Sequence, residues 1–152
     1  MTINVKKNRT FGVSGFHHVA LRVKDFNKSI KFYREALGFD VKINFPHTRD
    51  KNIKIAMMDV GDGNYIEIFS DSKTGKIDTE SAGCWFHIAF RTEDVDEIVE
   101  RAKKFGVPVT REPSDVVLDA EVQTPIRAAF ISGPDGESIE FLKNIDEKGI
   151  IL

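Results

Sequence analysis

Cysteine occurs once in the 152 residues, at Cys84, so no internal disulfide can form and a reducing compartment suits the chain. No apolar run approaches the roughly eighteen residues that a membrane-spanning helix needs. The opening stretch MTINVKKNRT lacks the apolar core and cleavage-like site of a signal peptide, and a cytoplasmic location is the expectation. Blocks of like charge are also missing. The 22 basic and 24 acidic side chains are interspersed and leave a formal charge of -2, which excludes the basic arm of a nucleic-acid binder. What is present, 41% hydrophobic residues in a chain of this length, suits one soluble domain with a sizeable core. A small molecule is the expected partner.

The chain uses one plan twice. FHHVALRV at Phe16 to Val23 returns as WFHIAFRT at Trp85 to Thr92, with histidine, alanine and arginine in the same order. Each stretch reads as a strand and leads into a helix. Asp25 can cap the first, whose Phe26, Ile30, Tyr33 and Leu37 keep helical spacing until Gly38. Thr92 or Asp94 can cap the second, whose stripe Val95, Ile98, Val99, Ala102 and Phe105 stops at Gly106. Three strand candidates follow in each half: 39–45, 53–60 and 64–70, then 107–111, 126–131 and 138–143. The last of each also match, GNYIEIF at Gly63 to Phe69 against GESIEFL at Gly136 to Leu142, each after a turn-forming glycine or Pro-Asp-Gly. The histidines lie 69 residues apart and the glutamates 73, which places a four-residue insertion in the second half. A loop around Ser114 to Thr124 is its expected site.

Strand alternation says where the polar residues point. His18, Ala20 and Arg22 share a face, with Val19, Leu21 and Val23 opposite, where a helix can cover them. Parity likewise groups Trp85, His87, Ala89 and Arg91, groups Tyr65, Glu67 and Phe69, and parts Glu140 from Ile139 and Phe141. By the same count His17 points away from His18. If the halves pair through a pseudo-two-fold axis, His18, Glu67, His87 and Glu140 converge on one concave surface. Two imidazoles and two carboxylates neutralise a divalent cation and leave room for water in a roughly octahedral shell. A cation also removes the cost of enclosing two unpaired carboxylates. Each residue alone is an ordinary strand residue; repetition at equivalent places makes them a ligand set.

FHHVALRV, YIEIF, WFHIAF and PDGESIEFL together resemble the ligand-bearing strands of the vicinal oxygen chelate superfamily, over roughly Phe16 to Asn144, and are most similar to glyoxalase I. The resemblance implies an α+β fold of two βαβββ modules, about 14–72 and 83–145 within a single domain, forming an incompletely closed, curved eight-stranded mixed sheet around a central metal site, usually in a homodimer. It implies His18, Glu67, His87 and Glu140 as metal ligands and Arg22 as a contact for a substrate carboxylate. Glu140 is the implied base, which takes a carbon-bound proton from a thiohemiacetal or related vicinal-oxygen substrate to give a metal-stabilised enediolate, with Glu67 able to share that role on the opposite face. The implied cofactor is one divalent ion per site. The lack of a long N-terminal extension and of large insertions resembles the short bacterial nickel or cobalt enzymes more than the longer zinc-dependent ones; zinc, manganese and iron are the other candidates.

The substrate pattern departs in two places. Asp71 stands where many bacterial glyoxalases have asparagine, and it would repel a glutathione carboxylate. PSDVVLDAEVQT carries three acidic residues and lacks the lysine and glycine that often hold the thiol peptide. Trp85, Tyr65 and Phe69 offer an apolar wall for a bulkier substrate, or simply pack the core. His47, near a loop, reads as structural or solvent-facing, and Cys84 has no companion base that would make it a nucleophile. Two other readings remain beside the lyase: an epimerase, isomerase or dioxygenase on the same scaffold, and a metal-free binding protein of the bleomycin-resistance type.

Overall fold

The structure, a computed structural model, describes residues 16–70, 82–83, 85–118 and 123–145. Ten elements run in two equivalent series. The first repeat is β1 (His18–Arg22), α1 (Phe26–Glu35), β2 (Asp40–Pro46), β3 (Lys54–Asp59) and β4 (Tyr65–Phe69). The second is β5 (Ile88–Arg91), α2 (Val95–Phe105), β6 (Val109–Leu118), β7 (Thr124–Ser132) and β8 (Ser138–Asn144). Each makes a four-stranded mixed sheet, ordered β1-β4-β3-β2 and β5-β8-β7-β6. In both, the first strand pairs parallel to the last and the others pair antiparallel. The expected α+β architecture of two βαβββ units is what forms. Among the described residues no helix is long and apolar enough to cross a membrane.

Local chemistry sets the helix ends. The Asp25 carboxylate accepts from the Lys28 N–H at 3.0 Å and Asp94 does the same for Glu97, so each helix starts with one otherwise unpaired donor satisfied. Of the two expected caps for α2, Asp94 serves. Gly106 ends α2 at φ 85°, a left-handed conformation that glycine adopts without a Cβ clash.

The apolar faces of the two sheets and helices meet in one core. Val23, Phe32, Tyr33, Met58, Ile66 and Ile68 of the first repeat join Val95, Val99, Ala102, Ile131, Ile139 and Phe141 of the second. Phe32 meets Phe105, and Phe39 meets Phe90, edge to face at ring-centroid distances of 5.7 and 5.2 Å. The strand faces that carry the histidines and glutamates lie on the opposite side of their sheets from this core.

Two expectations about boundaries are corrected. Of the segment Ser114 to Thr124 expected to hold the second-half insertion as a loop, the part up to Leu118 is strand and 119–122 lie outside the described residues; the β6–β7 arms have 10 and 9 residues against 7 and 6 in β2–β3. Register shifts between Val109 and Arg111 and between Arg111 and Ser114 take up part of the excess as bulges. The repeated strand at Trp85 is also shorter than its sequence suggests. Pairing begins at Ile88, and Trp85 stands 79% exposed ahead of it, in neither the ladder nor the core.

Candidate metal centre

Parallel pairing of edge strand and last strand brings each histidine to its glutamate. In the first repeat Ala20 is in register with Glu67, and the His18 side chain, two residues back on the same face, reaches Glu67 with Nε2 3.5 Å from Oε2. In the second, Ala89 is in register with Glu140, and His87 Nε2 lies 3.0 Å from Glu140 Oε2. A small side chain therefore stands beside each carboxylate and leaves its approach open. On the inner side the neighbours differ: Met57 lies opposite Glu67 and Phe130 opposite Glu140. Phe130 also sets its ring edge to face with His87 at 5.5 Å, so the second pair is the more enclosed.

The chain brings the four predicted ligands together as two pairs. Among the described residues no three histidine, cysteine, aspartate or glutamate side chains converge, so one chain offers two donors at each of two places rather than four at one. The donor chemistry of each pair still fits a divalent cation, an imidazole nitrogen and a carboxylate oxygen turned toward the same space.

Arg22 is in register with Phe69, on the histidine-bearing face of β1. Tyr65 and Trp85 line a groove of about 470 Å³ together with Phe16, Phe86 and His87, at the edges of β1 and β5. Phe69 lies apart from that groove, beside His47, with ring centroids 6.4 Å apart. His47 serves a turn, its Nδ1 accepting from the Arg49 and Asp50 N–H groups, each at 3.3 Å. Asp71 and Cys84 lie outside the described residues.

Two features escaped the sequence. His17 does not turn away from His18. It precedes the first ladder residue, where strand parity has no hold, and its Nδ1 lies 2.8 Å from His18 Nδ1. The other is a buried contact between repeats: the Tyr33 hydroxyl on α1 donates to Glu137 Oε1, in the turn before β8, at 2.7 Å. Burial pushes the Glu137 carboxyl above its ordinary pKa, although the Tyr33 hydrogen bond pulls the other way. Burial, then the Glu137 charge, pushes the Tyr33 phenol well up.

A family model described as the glyoxalase/bleomycin resistance protein/dioxygenase superfamily matches residues 15–141. The chain belongs to that superfamily. Among superfamily relatives, a probable lactoylglutathione lyase of Vibrio cholerae is 32% identical over 130 residues, covering 84% of this chain and 88% of its own. The solved trypanothione-dependent glyoxalase I of Leishmania major is 29% identical with a TM-score of 0.61, covering 84% of this chain and 85% of that one. A V278E variant of glyoxalase I from Zea mays is 27% identical with a TM-score of 0.64; the match covers 84% of this chain and 43% of the maize chain, less than half its length.

Proposed function

We propose that this superfamily member is a metal-dependent enzyme of the lactoylglutathione lyase type, which moves a proton between adjacent carbons of a thiohemiacetal or related vicinal-oxygen substrate. The observation that carries the reading is the duplicated pair, His18 with Glu67 and His87 with Glu140, at equivalent places in two repeats. Because each chain offers its donors two at a time, the pair of one chain meets the other pair of a second copy, and a homodimer holds two complete four-donor sites.

In such a site His18 and His87 would hold the cation, their Nε2 atoms being the ones that face the carboxylates, and Glu67 and Glu140 would complete the set. The bound cation supplies Lewis-acid polarisation of the substrate's neighbouring oxygens, which makes the carbon-bound proton acidic enough for a carboxylate. Glu140 takes that proton and returns it to the next carbon. The Phe130 ring, next to Glu140 on the ladder and against His87, keeps water from that side of the base. Glu67, with the more open approach, serves mainly as ligand. Arg22 provides a fixed positive charge for a remote carboxylate of the substrate.

Metal analysis and turnover test the reading. Protein purified without chelator should carry close to one nickel, cobalt or zinc ion per chain, and His87→Ala should lose most of it. Glu140→Gln, with occupancy restored by excess metal, should turn over orders of magnitude more slowly on thiohemiacetals of glutathione and other thiols, because an amide coordinates weakly and accepts no carbon-bound proton. Wild-type protein that stays empty in all three metals would leave the fold as a metal-free binder.

A further inference from the structure

We propose that His17 is a positioning residue for His18, serving it in both of its tautomers; the inference rests on the metal-centre reading above. A neutral imidazole carries one N–H, so the nitrogen that faces a cation must give up its proton to the other. His18 turns Nε2 toward Glu67 and Nδ1 toward His17. Without a cation, the favourable arrangement puts the His18 proton on Nε2, facing the carboxylate, and His18 Nδ1 accepts from His17. With a cation at Nε2, the His18 proton must sit on Nδ1, which then donates to His17 Nδ1 across the same 2.8 Å contact.

His17 can reverse its part because its own ring also has two nitrogens. As His18 moves its proton from Nε2 to Nδ1, His17 moves its proton from Nδ1 to Nε2 by exchange with water. Each ring keeps one proton and no net charge changes. The His17 ring is held for this exchange: its carbonyl accepts from the Tyr65 N–H at 2.9 Å, and its ring lies 5.3 Å from that of Tyr65.

The second repeat has no such device. Phe86 occupies the position before His87, and the buried His87 Nδ1 makes no hydrogen bond among the described residues. His87 therefore has a polar neighbour on one side only, Glu140 at 3.0 Å, whereas His18 has one on each side. Outer hydrogen bonds to ligand histidines orient the ring and raise metal affinity.

The test uses the whole chain and zinc alone. Ring nitrogen correlations by NMR should find the His18 proton on Nε2 in metal-free protein and on Nδ1 after zinc loading. His17→Leu should weaken zinc binding about tenfold, the lower end of the range for such partners because His18 is partly exposed to water. His17→Asn, whose amide can donate or accept from a similar place, should restore it to within about threefold, with unchanged circular dichroism and thermal midpoint. His17→Leu binding zinc like wild type, or His17→Asn no better than His17→Leu, overturns the inference and leaves the metal centre standing. Wild-type protein that binds no zinc, nickel or cobalt sinks both.

Discussion

Tyr33→Phe isolates the polar contact that joins the two repeats. Tyr33 is 1% exposed and Glu137 9%, so neither can turn to water when the other is lost. The phenylalanine ring keeps the stacking against Phe39 and the edge contact with Phe32; only the hydroxyl that donates to Glu137 at 2.7 Å disappears. The carboxylate retains the Asp135 N–H at 2.9 Å on its other oxygen. Leaving one buried acceptor unpaired costs about 1–3 kcal/mol. The expected loss is about 2 kcal/mol, a fall of roughly 4–8 °C in thermal midpoint for a chain of this size.

The pH dependence sharpens this prediction. Burial raises the folded-state pKa of Glu137, so its contribution to stability is fully present below the unfolded carboxyl value and is lost as pH rises through the folded one. The Tyr33 hydroxyl opposes that loss by stabilising the carboxylate. The variant's deficit should therefore be small near pH 4 and full at pH 7, measured as the wild-type minus variant difference in urea unfolding at each pH. A deficit under about 0.5 kcal/mol at pH 7, or one equal at both pH values, would refute the argument.

Complementation tests the two-copy site. His18→Ala and His87→Ala chains, each inactive alone, should regain activity when unfolded and refolded together, because one site of each mixed dimer then receives an intact pair from both chains; sites built within one chain would show no rescue. Gly106→Ala should destabilise the protein by about 1–2 kcal/mol by forcing a Cβ into the left-handed region at φ 85°, read as a lower urea midpoint at unchanged slope.

The helices and the strand faces that carry the histidines and glutamates were legible because both depend on short-range order; that the four side chains would meet as two pairs rather than at one place was not. An apolar stripe at helical spacing with aspartate ahead of it specifies α1 and α2, and alternation along β1 and along β4 separates His18 and Glu67 from their apolar neighbours, while the parallel pairing of the two strands brings them to one face. The limits of such reasoning appear where the ladder ends. Parity counted through His17 and Trp85 as though both lay within a strand, yet each precedes the first residue in register, His18 of β1 and Ile88 of β5. Contacts across 104 residues leave a different kind of trace: Tyr33 read as one more member of an apolar stripe, and Glu137 drew no reading at all. The signal for Glu137 was its absence from the first repeat, where Asn64 stands at the equivalent place in GNYIEIF. A glutamate beside a strand in only one of two matching halves serves something other than the repeat.

The same comparison explains why the halves differ around a shared pair. In the proposed enzyme the two repeats start from the same histidine–glutamate pair, and equality is unnecessary once the pairs do different work. The second repeat encloses its pair more: Phe130 stands beside Glu140 where the first has Met57 beside Glu67, and the imidazole and carboxylate approach to 3.0 Å against 3.5 Å. Enclosure favours a carboxylate that must exchange a proton with carbon in competition with water. The first repeat instead surrounds its histidine with polar partners, His17 at Nδ1 and Glu67 at Nε2, which suits a ligand that must be held through metal loading. In the proposed enzyme, the neighbours of each pair are the ground for giving base chemistry to Glu140 and cation capture to His18, since the pairs themselves contain the same two residue types.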